Sequence, residues 1–218
     1  MAWGARWGMR TDLLTLVQWL SPAFPTGGYA YSHGLEAVMA EGERTAAGLR
    51  VWIEGILRFG SGQADAVLLA SAIRPGADFA ALDDLARAMA GSRERLSETV
   101  EQGTAFARTV AALTGRDLPA RALPVAVGEA AAALDLAAED VVGVYLHAFA
   151  ANLVACATRF APLGQTEGQS MLAGLHPVIS EIAGWAVAVG IEEIGTSAFG
   201  AELTAMRHEE LDVRIFKT

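Results

Sequence analysis

Apolar residues recur at three- and four-residue spacing along almost the whole chain, and that period admits helices and little else. Leu13, Leu16, Val17 and Leu20 fall at i, i+3, i+4 and i+7, on one helical face that Thr11 or Asp12 can cap. Leu49, Trp52, Ile53, Ile56, Leu57 and Gly60 repeat the pattern. Val67, Leu68, Ala72 and Ile73 mark a third helix, stopped at Arg74 by Pro75-Gly76. Asp78 opens a short helix to about Ala90, and Gly91-Ser92 begins a longer one. In that longer helix Leu96, Val100, Gly103, Ala107 and Val110 form a seam, and Gly115 ends it. Arg116 to Pro124 is a rigid connection, too short to separate domains. Helices are expected from Val125 to Leu134 and from Val141 onward. Thr166 and Gln169 have capping-box spacing, Pro177 can open the next helix after an interruption at His176, and a last helix runs from about Ser197 to Arg207.

No strand alternates with these helices, so a parallel α/β sheet has no support. The expectation is an all-α single domain over residues 1–218, an irregularly packed bundle of roughly eight to ten helices. Flexible ends are expected at 1–10 and 208–218. The tail from Glu210 alternates apolar and charged residues, which reads as extended chain, either frayed or ordered on a partner.

Composition narrows the function. The chain is 53% hydrophobic and 19% charged, so it can bury a core. A net charge of −9 repels phosphate backbones, and nucleic acid is not an expected partner. The single cysteine, Cys156, permits no intrachain disulfide and points to a reducing, cytoplasmic setting. Asp12 and Gln18 interrupt the apolar part of the N-terminus, against a signal peptide. Val141 to Thr158 lacks Asp, Glu, Lys and Arg, yet holds Tyr145, His147 and Asn152. It reads as a helix buried all round rather than a membrane span.

Two polar loops remain as candidate chemistry. From Phe24 to Glu36, a Pro-Thr-Gly-Gly bend leads to Tyr29, Tyr31, Ser32 and His33. No Lys is present, so this is no P-loop. Ala30 to Gly34 approximates a nucleophile elbow around Ser32, but no strand precedes it, and Ser32 reads as a helix cap. From Arg159 to Gln169, Pro162 and Gly164 stop one helix and Thr166 starts another. Gln165 and Gln169 are expected to tie that loop together, or to meet a partner. His33, His147, His176 and His208 form no metal-binding spacing. His147 and Cys156 are expected in the core, and His208 in an exposed acidic run with Glu209, Glu210 and Asp212. Asp83-Asp84, Glu192-Glu193 and Glu209-Glu210 read as helix ends or solvent faces. No catalytic residue, metal ligand set or cofactor is expected.

The two loops carry a resemblance. Leu13 to Glu36 resembles the N-terminal signature of UreF proteins, and Pro-Leu-Gly-Gln-Thr-Glu-Gly-Gln, Pro162 to Gln169, resembles the family's second signature. Ser92 to Gly103 resembles its middle helix. The order His before Ser, commoner in the family, is reversed at Ser32-His33, and the tail ends in Thr218 where Ser is usual. The resemblance implies an α-helical homodimer that catalyses nothing. It implies an adaptor that binds UreD (UreH), then the nickel-carrying GTPase UreG, and acts on apo-urease. The residues it puts forward for partner binding are Phe24, Pro25, Gly27, Gly28, Tyr29, Ser32 and His33 in the first loop. Beside them stand Leu163, Gly164, Gln165, Thr166, Gly168 and Gln169 in the second loop. The alternating pattern of the tail adds Arg214 and Phe216, expected to order against UreD, and the helix ending at Arg159 is expected at the dimer interface. The other readings are a helical adaptor for an unrelated GTPase or enzyme, and a serine esterase using Ser32.

Overall fold

Helix ends fall where side chains or left-handed glycines can satisfy the loose backbone groups. In the computed structural model, which describes residues 5–210 and 214–217, ten α-helices follow one another and no strand occurs among those residues. They are α1 (Ala5–Trp19), α2 (Leu35–Ala40), α3 (Ala46–Phe59), α4 (Ser61–Ile73), α5 (Phe79–Ala88), α6 (Arg93–Thr114), α7 (Leu123–Ala131), α8 (Ala138–Phe160), α9 (Gln165–Ala188) and α10 (Phe199–His208). Thr45, Asp78 and Ser92 cap α3, α5 and α6 by accepting hydrogen bonds from backbone N–H groups of the first turn. Gly115, at φ 71°, closes α6 as the pattern predicts.

The core sits around α4, which packs against α3, α7, α8 and α9. Ten of its residues, from Gly62 to Ala72, are buried, so α4 is the helix enclosed on every side. That role was expected of Val141–Thr158. Instead α8 buries one broad face, including Tyr145, Leu146, Leu153 and Cys156, within the bundle and leaves His147 exposed. Both α8 and α9 have the length and mean hydropathy of a membrane span, and about half of each such window is buried within the bundle. Their apolar content is thereby accounted for by the core.

Two glycines let helices approach closely. A Cβ on Gly103 of α6 would lie 2.0 Å from the Arg121 carbonyl oxygen, and one on Gly128 of α7 would lie 2.5 Å from the Ala72 Cβ. Substitution at either would push α7 away from its neighbours.

Three features differ from the sequence expectation. Residues 5–10, within the segment expected to be flexible, are the first turns of α1, and residues 1–4 lie outside the described residues. In α1 Leu16 and Trp19 are buried while Leu13, Leu14 and Val17 are exposed, so only part of the expected face meets the core. Helix α9 runs through His176-Pro177 without interruption. Pro177 removes one N–H from the ladder, but Leu172, Leu175, Val178, Ile179 and Ile182 bury a continuous face on both sides of it, which holds the helix together.

Candidate functional site

The first loop owes its shape to three left-handed residues. Gly27 has φ 77°, and His33 at φ 53° is followed by Gly34 at φ 75°. Among the described residues His33 is the one non-glycine at positive φ. Such a conformation costs on the order of 1–3 kcal/mol and persists where surroundings over-determine it. Here they do. The His33 Nε2 lies 2.8 Å from Glu98 Oε1, and its ring meets Phe149 edge-on at 4.6 Å. The Gly34 turn packs under α10, where an added Cβ would stand 2.9 Å from the Ala205 nitrogen.

Beneath the loop lies a cluster of buried ionisable groups. Arg95 bridges two carboxylates, donating to Asp65 Oδ2 at 2.9 Å and reaching Glu98 Oε2 at 3.3 Å. The Gln102 amide donates to Glu98 Oε1 at 3.0 Å, and the Tyr145 hydroxyl donates to Asp65 Oδ2 at 2.8 Å. Burial would raise the pKa of Glu98, but His33 and Arg95 outweigh it and hold the carboxyl below its usual range. For Asp65 burial wins over Arg95, and its pKa is raised. The Tyr145 hydroxyl is pushed well up, chiefly by burial and then by Asp65. This cluster separates a cavity of about 370 Å³, between the end of α1, the first loop and α8, from a smaller one of about 70 Å³ beside α10.

A second cluster fastens the tail. His208 is fully buried, with Nδ1 2.8 Å from Glu94 Oε2 and Nε2 3.0 Å from Glu36 Oε2. Glu36 also accepts the backbone N–H groups of Ile215 and Phe216 at 2.8 and 2.9 Å, and Arg214 pairs with Glu94. The exposed acidic run expected around His208 is therefore corrected at that residue. Its ring is drawn inward because two carboxylates from α2 and α6 meet it there. Asp212 lies outside the described residues.

The tail then crosses the first loop. Phe216 is buried beneath the Arg159 guanidinium, which sits 5.0 Å from the ring centre. Arg159 Nη2 donates to the Tyr29 carbonyl at 3.0 Å, and the Lys217 N–H donates to the Ala30 carbonyl. Lys217 Nζ and the Tyr31 hydroxyl both donate to Glu101. Thus the fold unites Tyr29, His33, Arg159, Arg214 and Phe216, residues drawn from three distant stretches of sequence.

The other candidate residues divide. Phe24 is a core residue, tilted against Phe106 at 5.7 Å, and Pro25 is exposed on the loop's outer edge. Gly28 lies over the Gln102 amide. Ser32 is fully buried and its hydroxyl accepts the Glu36 N–H at 3.3 Å. The N-cap of α2 is Gly34, two residues past the Ser32 expected there; Ser32 serves the first turn from outside it, and its burial leaves it no approach for an ester. Leu163, Gly164, Gln165, Thr166, Gly168 and Gln169 stand apart from this face, where Thr166 and Glu167 border a hollow with Ala46, Ala47 and Arg50 of α3. Glu167, not Gln165 or Gln169, ties that loop, by accepting the Gly164 N–H at 3.0 Å. The capping pair is thus Gly164 and Glu167, two residues earlier than the Thr166–Gln169 expectation. Gly168 is buried under Val154 and Thr158, and both amides are exposed.

Further expectations are corrected. His147 is exposed and faces His176 rather than the core. Cys156 is buried as expected, and burial pushes its thiol up to about 12. Asp83 is buried rather than solvent-facing, because its carboxylate accepts the Ala122 N–H at 2.6 Å and Arg87 at 2.8 Å. The reading of α6 as an apolar seam misses Arg95, Glu98 and Gln102. Their spacing of three and four marks a polar stripe beside the apolar one, and that was the available signal. Leu96, expected in the seam, is exposed. Among the described residues, no group of three or more His, Cys, Asp or Glu converges to hold a metal.

The UreF family model matches residues 44–176. A protein described as urease accessory protein UreF from Cereibacter sphaeroides (strain ATCC 17025 / ATH 2.4.3) is 63% identical over 96% of this chain and 100% of its own length. Proteins of the same description from Jannaschia sp. (strain CCS1) and Paracoccus denitrificans (strain Pd 1222) are 53% and 55% identical. The first alignment covers 97% of this chain and 96% of the relative, the second 94% and 95%. With the family match spanning over half the chain and these relatives aligning almost end to end, the chain belongs to the UreF family of urease accessory proteins.

Proposed function

We propose that this chain is a non-enzymatic adaptor of cytoplasmic urease maturation. It binds UreD (UreH), recruits the nickel-carrying GTPase UreG to apo-urease, and helps set when GTP is hydrolysed for nickel insertion. The observation that carries this reading is the tail laid across the first loop. Phe216, Arg159 and Tyr29 form one partly exposed platform, braced from below by buried ion pairs. Buried ionic clusters are costly, and one use for that cost is to hold a recognition surface in a single arrangement. Tyr and Arg are also the side chains that most often anchor protein interfaces.

A homodimer fits the exposed apolar stripe of Leu13, Leu14 and Val17 on α1. That stripe is a better candidate than Arg159, whose guanidinium is committed to Tyr29 and Phe216 within the chain. Leu14→Glu is expected to give monomers by light scattering, and an unchanged dimer sinks this assignment.

Reconstitution tests the main reading. The chain mixed with UreD and then UreG is expected to elute as one complex whose UreG content depends on GTP. A folded chain that binds neither partner returns the protein to a helical adaptor for another GTPase or enzyme.

A further inference from the structure

Two histidines that the proposed function leaves unused meet on the outer side of α8 and α9. His147 of α8 and His176 of α9 are both exposed, and their ring centres lie 5.4 Å apart with planes inclined by 45°. They are far apart in sequence, so no local spacing announces them. The antiparallel course of the two helices brings them level, as it brings Gly143 opposite Ala183 and Gly168 opposite Val154.

We propose that His147 and His176 form a two-histidine site for a borderline divalent cation, with water completing the coordination. The ligand type fits, since neutral imidazole binds zinc and its neighbours in the first transition row. The spacing fits as well. Two imidazoles sharing a tetrahedral ion through metal–nitrogen bonds of about 2.0–2.1 Å have ring centres roughly 5.2 Å apart. The tilted contact between the two exposed rings gains little on its own in water, whereas an ion between them would clamp α8 to α9. The site is distinct from the buried clusters under the first loop, and its cation need not be the cargo of urease maturation.

Calorimetric titration of Zn²⁺ into the tag-free full chain at pH 7.5 tests the site. One ion per chain is expected, accompanied by a raised melting temperature, since a ligand bound to the native state alone stabilises it. His147→Gln and His176→Gln each should weaken binding at least about tenfold, the least loss seen even for outer partners of a metal. Both positions are exposed, so neither variant should disturb the fold, which circular dichroism checks. Undiminished binding in either variant, or no binding by the folded wild type, overturns the proposal.

Discussion

The two glycine-bearing loops look alike in sequence and differ in what the fold asks of them. The first, from Phe24 to His33, turns its chemistry inward. Ser32 accepts the Glu36 N–H, His33 meets Glu98, and the loop's backbone carbonyls at Tyr29, Ala30 and Tyr31 receive Arg159, Lys217, Asn152 and Cys156. The second, from Pro162 to Gln169, turns it outward. Glu167 closes the helix start, Gly168 packs beneath, and Gln165, Thr166 and Gln169 face solvent. A polar loop is therefore no guide by itself to a binding surface. The first loop offers a rigid platform made with the tail and Arg159, while the second offers side chains on a short, simply tied bend.

If that contrast is right, substitutions under the first loop should cost stability and those on the second should not. The largest effect belongs to Glu98→Ala, which strands Arg95 and His33 in the interior. A loss of about 3–5 kcal/mol in chemical denaturation is expected, the usual consequence of removing one partner of a buried pair. A loss near zero would show that the cluster is dispensable.

The same residue predicts an acid limb. Because the folded pKa of Glu98 is depressed, its contribution is present above the unfolded value of 4.5 and disappears as pH falls through the folded one. Asp65 acts with the opposite sign, since its raised folded pKa makes protonation on acidification favourable to the native state. Glu98→Gln should therefore flatten the fall in stability expected of the wild type below pH 4.5, and Asp65→Asn should steepen it. Parallel melting curves across pH 3–7 for all three chains would contradict the assignment.

Gly34→Ala comes next. It combines a left-handed φ of 75° with a Cβ placed 2.9 Å from the Ala205 nitrogen, and about 2 kcal/mol is expected. Phe216→Ala removes a buried ring at the chain's end, where detachment relieves the void, so about 1 kcal/mol is expected. Smallest are Gln165→Ala and Gln169→Ala, within about 0.5 kcal/mol of wild type. If they instead destabilise like Glu98→Ala, the contrast between the loops fails.

Much of this architecture was legible. The caps at Thr45, Asp78 and Ser92, the stop at Gly115 and the order of helices follow from local rules that the fold leaves in place. The site was legible only as isolated segments. Tyr29, Arg159 and Phe216 could be singled out one by one, but periodicity says nothing about which loops meet. Glu36 and Asp65 were missed, because single polar residues inside apolar helices give no signal until their partners from other helices are known. His147 misled for the converse reason. It lies in an apolar run, yet its turn of α8 faces outward beside His176.

The docked tail is proposed to complete the surface that receives UreD. Size exclusion with light scattering, comparing the full chain with one ending at Glu210, tests it most directly. The full chain should elute with UreD, and the shortened chain, helical by circular dichroism, should elute alone. A shortened chain that still forms the same complex in the same stoichiometry would contradict the account.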